Sequence, residues 1–282
     1  MKHTKYTVIG GGTLLAVGLS LVMAVPIVFG QQEADEEPPP YEQSEEGAEK
    51  IGAEFNPGDI DVEHGHDLFR AAGANGKSCA SCHGDNGEGL IGAAARYPMV
   101  VSREEGVRNL ELQINQCRTQ RMDSEPYEWS AQQFTNLSHM GDYVDSRTDM
   151  RNMLLYVKSR SNGIPINIKT DGIAHEYWEK GKRFYWSKRG QRNLSCANCH
   201  VMNGGKRLGP VRLSSPRGQA AKFPVYTIAT DAVETLQFRY QTCSRDVRAH
   251  ILDINTEPAL NLELYHNSLS NGMPYRAPGF SL

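Results

Sequence analysis

The chain has 282 residues, of which 39% are apolar and 22% charged, with a net charge of −3 at pH 7. That length favours two compact domains, and the composition is globular rather than disordered or fibrous. Six cysteines are too few for a disulfide-built scaffold of this size, so they call for another use.

Lys2 and Lys5 precede Val8 to Gly30, a stretch without a charged residue. It exceeds the ~7–15 residues of a secretory apolar core and reaches the ~20 that span a bilayer. Gly10-Gly11-Gly12 and Pro26 weaken it as a helix, and Val28-Phe29-Gly30 offers a cleavage site. Residues 1–30 are read as a cleaved signal peptide, with an uncleaved membrane anchor as the alternative. Either one exports the rest to the periplasm. Residues 31–52 read as a linker. Eight acids and Pro38-Pro39-Pro40 fall between Gln31 and Lys50, which is too polar to offset ordering entropy by burial.

From about Phe55 the sequence repeats itself. Helix candidates Val62 to Ala72 and Ile173 to Ser187 each lead into a Gly-containing loop. The loops end in Cys79-Ala80-Ser81-Cys82-His83 and Cys196-Ala197-Asn198-Cys199-His200. Leu110 to Arg121 and Ala232 to Val247 follow as helix candidates, each with one cysteine, Cys117 and Cys243. Ser161-Asn162-Gly163-Ile164-Pro165 and Ser270-Asn271-Gly272-Met273-Pro274 close the halves, and Gly then Pro is a helix stop signal.

A Cys-x-x-Cys-His run attaches haem c: two thiols bond the vinyl groups and the His ligates iron. One such run also suits a zinc or redox site, but two copies, each ending in His, point to haem. Two covalent haems c are expected, held by Cys79 and Cys82 with His83, and by Cys196 and Cys199 with His200. The fold expected is mostly α, with two tandem cytochrome c domains. They cover residues 53–168 and 169–282, with the boundary near Ile168 to Gly172.

Cys117 and Cys243 have three readings: a disulfide to each other, inert buried thiols, or the distal iron ligand of each haem. Their equivalent places in the repeat favour ligation, with Met99, Met122 and Met202 as rival ligands. Arg239 precedes Cys243 by one helical turn, and Arg245 and Arg248 follow it. Cationic neighbours favour a reactive thiolate and can bind an oxyanion through paired hydrogen bonds. Pairing with haem propionates is the alternative. Residues 151–250 carry 18 Lys and Arg against six Asp and Glu, which suits an anionic substrate or an acidic protein partner. The exported location leaves nucleic acid out as a partner.

Several runs resemble the SoxA family, dihaem subunits of the SoxAX cytochromes of bacterial thiosulfate oxidation. They are Lys77-Ser78-Cys79-Ala80-Ser81-Cys82-His83-Gly84, Ile114-Asn115-Gln116-Cys117-Arg118, Gly205-Lys206-Arg207-Leu208, Phe223-Pro224-Val225-Tyr226 and Leu236-Gln237-Phe238-Arg239-Tyr240-Gln241-Thr242-Cys243-Ser244-Arg245-Asp246-Val247-Arg248. The resemblance covers roughly Asp67 to Pro274. It implies an L-cysteine S-thiosulfotransferase that joins thiosulfate to a cysteine of the carrier protein SoxYZ and passes electrons to the monohaem cytochrome SoxX. It makes Cys117 and Cys243 distal haem ligands, with Cys243 found as an active-site persulfide and Arg239, Lys206 and Arg248 as its basic neighbours. Ser214-Ser215-Pro216-Arg217 departs from the family pattern, which tends to a Gln-Gly-His-Pro stretch there. A thiosulfate dehydrogenase forming tetrathionate and a plain dihaem electron carrier are the rival readings.

Overall fold

Why two helix pairs pack closely is answered by two glycines. The computed structural model describes residues 55–129, 149–209, 211–228 and 230–281, so the expected signal segment 1–30 and linker 31–52 lie outside the described residues. Helix α1 (Asp59–Arg70) opens with Asp59 and Asp61 and ends on Arg70, each matched to the helix dipole. Helix α2 (Ala80–His83) carries the first haem motif, α3 (Leu110–Arg121) carries Cys117, and α4 (Asp149–Ser159) is buried along almost its whole length. A Cβ on Gly65 of α1 would lie 2.1 Å from the Asn152 carbonyl of α4, so only glycine permits this crossing.

The second half has its own set. Helix α5 (Ala174–Trp186) crosses α8 (Glu257–Ser268) at Gly181, where a Cβ would lie 2.0 Å from the Asn261 carbonyl. Between them come α6 (Cys196–His200) with the second haem motif and α7 (Leu236–Asp246) with Cys243. Like α4, α8 is buried from Ala259 to Asn267, as expected for a helix enclosed by its neighbours.

Short strands link the helices. Strand β1 (Met99–Ser102) pairs antiparallel with β2 (Gly106–Arg108), and β3 (Arg207–Leu208) pairs with β4 (Val211–Arg212). Strand β5 (Val225–Thr227) lies between β6 (Ala232–Glu234), antiparallel, and β7 (Gly279–Ser281), parallel. The helix expected from Ala232 therefore starts later. Val233 is taken up in pairing with Tyr226, and the Thr235 hydroxyl caps α7 by accepting from the Phe238 N–H at 3.2 Å.

The two Ser-Asn-Gly segments do more than stop helices. The Asn162 side chain brackets Ala277, donating to its carbonyl at 2.7 Å and accepting from its N–H at 2.8 Å. The Asn271 side chain does the same to Ile168, at 3.0 and 2.8 Å. Ile168 is 2% exposed, and one apolar cluster holds Phe69 and Leu155 together with Leu264 and Tyr275. The segment expected as a boundary thus runs through packed structure shared by both halves.

Candidate active site

Each haem motif is shaped by a reciprocal cap. Ser195 Oγ accepts from the Asn198 N–H at 3.2 Å, while Asn198 Oδ1 accepts from the Ser195 N–H at 3.0 Å. Ser78 and Ser81 exchange the same two bonds at 3.1 and 3.0 Å. This capping box turns the chain into a helix at the attachment cysteines and so brings the adjacent His onto the same short turn.

His200 Nδ1 lies 2.8 Å from the Ser214 carbonyl oxygen. A carbonyl only accepts, so Nδ1 carries the proton and Nε2 keeps a bare lone pair, the state a metal-binding imidazole needs. Burial, opposed by the Ser214 bond and helped by the charge of Arg239, holds the ring below its usual pKa and so neutral.

Cys243 lies near this motif: the charges acting most on its thiol are those of Arg239, Cys196, Asp246 and Cys199. The expected cationic activation does not follow from the chain alone. Burial outweighs Arg239, and the thiol is pushed up to about 12. A sulfur so desolvated becomes a thiolate only beside a further positive charge, such as a bound metal ion.

Arg239 is anchored rather than free. Its Nη2 lies 2.7 Å from Glu234 Oε2 and 3.3 Å from the Thr227 hydroxyl, and Thr230 donates to Glu234 Oε1 at 3.1 Å. The sequence reading does not single out Glu234, although it is one of only six acids in residues 151–250. Arg239 Nε and the Tyr185 hydroxyl are buried and have no hydrogen-bond partner among the described residues. The thiols of Cys196 and Cys243 act on Tyr185, which places it near the same sulfurs. Unpartnered buried donors, a bare Nε2 and convergent sulfurs fit a covalently held haem with acidic groups.

The other two basic candidates stand apart. Lys206 is exposed, with Nζ donating to Asn203 Oδ1 at 3.0 Å. Arg248 is exposed at the end of α7 with φ 55, where its carbonyl accepts from the Gln191 N–H. Neither is among the groups that act most on Cys243. Part of the basic cluster is engaged within the chain. Lys180 pairs with Glu257 at 3.0 Å, and Arg189 stacks on Phe184, donates to its carbonyl, and lies 3.8 Å from Cys196 Sγ.

In the first half, Cys117 acts on the half-buried Cys79 thiol, so it too lies near its own motif. Met122 Sδ is 3.8 Å from Cys79 Sγ, whereas Met99 is 41% exposed and Met202 Sδ accepts from Asn198 on the attachment helix. Gln113, one turn before Cys117, donates to its sulfur at 3.4 Å, and Tyr97 and Arg108 both donate to Gln113 Oε1 at 3.2 Å. No disulfide joins any of the six cysteines.

The sequence matches the family described as SoxA/TsdA, cytochrome c domain, at residues 64–166 and 180–275. The chain belongs to the SoxA/TsdA cytochrome c family. It carries haem c as that family does. It is 34% identical to the L-cysteine S-thiosulfotransferase subunit SoxA of Pseudaminobacter salicylatoxidans, over 79% of this chain and 72% of the relative. The Paracoccus pantotrophus protein of the same name is 35% identical, over 77% and 69%. The crystal structure of SoxXA from P. pantotrophus superposes with a TM-score of 0.69 at 33% identity, covering 80% of this chain and 78% of that one. No helix among the described residues is long and apolar enough to cross a membrane.

Proposed function

We propose that the chain is the dihaem subunit of an exported L-cysteine S-thiosulfotransferase, joining thiosulfate to a cysteine of a SoxYZ-type carrier and pairing with a SoxX-type monohaem cytochrome. The observation that carries this reading is that Cys243 lies near enough to Cys196 and Cys199 for their charges to act on its thiol, with Arg239 one turn away. The names of the relatives support the activity, and the SoxXA neighbour supports the partner. Two tandem cytochrome c domains, 53–168 and 169–282, are supported by the matched glycine crossings and reciprocal caps. His83 and Cys117 are assigned to the first haem, and His200 and Cys243 to the second, with thioethers at Cys79, Cys82, Cys196 and Cys199.

In the reaction a carrier thiol and thiosulfate form one sulfur–sulfur bond, releasing one proton and two electrons. When bound, the haem would take up these electrons one at a time, each passing on to the monohaem partner, and would supply the positive charge that keeps the Cys243 sulfur ionised. Cys243, as thiolate or persulfide, presents the sulfur at which the bond is exchanged. Arg239 holds a sulfonate-like oxygen through its forked donors, oriented by Glu234. Lys206 and Arg248, on the exposed rim, attract the anionic substrate and carrier rather than touch the reacting sulfur.

Cys243→Ala tests this directly. The variant should keep its haems by mass spectrometry yet fail to add a thiosulfate-derived sulfonate to the carrier cysteine. Carrier-dependent activity at the wild-type rate would leave a plain electron carrier as the better account. Rapid tetrathionate formation by the wild type without carrier would favour a thiosulfate dehydrogenase.

A further inference from the structure

Behind His200 lies a chain of polar groups that the proposed reaction does not use. His266 of α8 is 4% exposed. Its Nδ1 lies 2.9 Å from the Tyr240 hydroxyl and its Nε2 lies 2.8 Å from Gln219 Oε1. The Gln219 amide nitrogen in turn lies 2.9 Å from Ser214 Oγ and 3.4 Å from His200 Nδ1.

The proton positions follow from donor and acceptor chemistry. Gln219 Oε1 only accepts, so His266 Nε2 donates and its Nδ1 accepts from Tyr240. Burial pushes His266 down to about 3, so the ring stays neutral at working pH and the chain carries hydrogen bonds without charge. With its oxygen fixed on His266, Gln219 turns its NH2 toward His200. The His200 Nδ1–H, already donating to the Ser214 carbonyl, therefore meets a second donor instead of a second acceptor.

That orientation has an electronic consequence. An imidazole whose distal N–H is taken by a stronger or additional acceptor becomes a more basic ligand, which stabilises the oxidised metal. If Gln219 turned over, its oxygen would lie beside Nδ1–H and add that acceptor. We infer that His266, acting through Gln219, is a positioning residue that restrains the electron-donating strength of His200 and so keeps the potential of the second haem high enough to accept electrons. This rests on His200 being that haem's ligand, as proposed above.

The experiment is a spectroelectrochemical titration of the haem-loaded protein, with the first haem as internal reference. His266→Leu should lower the second potential by at least a tenfold change in electron-transfer equilibrium, about 59 mV for one electron. His266→Gln, which can donate to Gln219, should restore most of it. Gln219→Glu, placing a carboxylate beside Nδ1–H, should lower it further, and it decides the matter alone if His266→Leu does not fold. An unmoved second potential in Gln219→Glu, or equal shifts in His266→Leu and His266→Gln, would overturn the inference. Electron paramagnetic resonance of the wild type separates the two readings. Absence of histidine ligation at the second haem would remove the ligand assignment and this inference together, whereas intact ligation with an unmoved potential removes this inference alone.

Discussion

Glu234 holds Arg239 through a 2.7 Å ion pair in which the carboxylate side chain is 2% exposed and the guanidinium 31%. The pair ties the arginine at the start of α7 to strands β5 and β6, and it also complicates the obvious mutation. Arg239→Ala leaves a buried carboxylate without its partner, which costs about 3 kcal/mol, the low end for a broken buried pair because the guanidinium is partly exposed. Arg239→Ala with Glu234→Gln should regain most of that stability, measured by urea midpoint, while thiosulfate use stays weak. If the double variant recovered activity as well as stability, Arg239 would have no part in substrate binding.

The glycine crossings give a second expectation. Gly65→Ala and Gly181→Ala each force a methyl group against a backbone carbonyl, at 2.1 and 2.0 Å, which flexible side chains cannot relieve. Each should cost about 3 kcal/mol, the upper end for overpacking, read as a lowered thermal midpoint. Loss of under about 0.5 kcal/mol would mean that the helices separate readily and the close crossing is not obligatory.

How much of this was legible beforehand differs from residue to residue. Leu110 to Arg121 is both the expected and the observed helix, because Asn109 caps it and no competing pairing exists there. The cysteines and histidines were legible because attachment chemistry fixes their spacing. The Ser195–Asn198 and Ser78–Ser81 caps were present as a local pattern. By contrast, the Ser214 carbonyl on His200, and His266 behind it, depend on segments 14 and 47 or more positions apart meeting in space. No local period encodes such meetings. The thiol of Cys243 shows the same limit: its arginine neighbour is visible in sequence, but the burial that outweighs it is not.

A pH dependence follows from Glu111, which burial and the nearby Glu263 push up to about 7 against the pull of Lys158. A carboxyl that holds its proton more tightly when folded stabilises the fold fully below its unfolded value near 4.5. That stability is lost as pH rises to about 7, up to roughly 3 kcal/mol in all. His266, held down near 3, slopes the opposite way, losing stability as pH falls from its usual 6.5. The comparison to make is therefore wild type against Glu111→Gln, by denaturant midpoints at pH 5 and pH 8. The variant should gain relative stability at pH 8, and parallel profiles would count against a proton held at Glu111.

Cys117 and Cys243 differ in what stands one turn earlier, Gln113 before the first and Arg239 before the second. Gln113 donates to the Cys117 sulfur at 3.4 Å and so draws charge from it. Gln113→Leu should lower the first haem's potential, and Cys117→Met should raise it, because a neutral thioether stabilises ferric iron less than a thiolate does. A first haem insensitive to both would point to Met122 as its ligand.

Asn162 and Asn271 each clasp main chain that belongs to the opposite half, at Ala277 and Ile168. The halves are therefore poor candidates for modular exchange. A chimera that took its first half from one relative and its second from another would keep both haem motifs. It would nonetheless break two backbone clasps unless each asparagine and the segment it grips were inherited together. Any change at these positions therefore acts on a pair of distant segments at once, and the placement of the two Cys-x-x-Cys-His motifs relative to each other depends on that same pair of clasps.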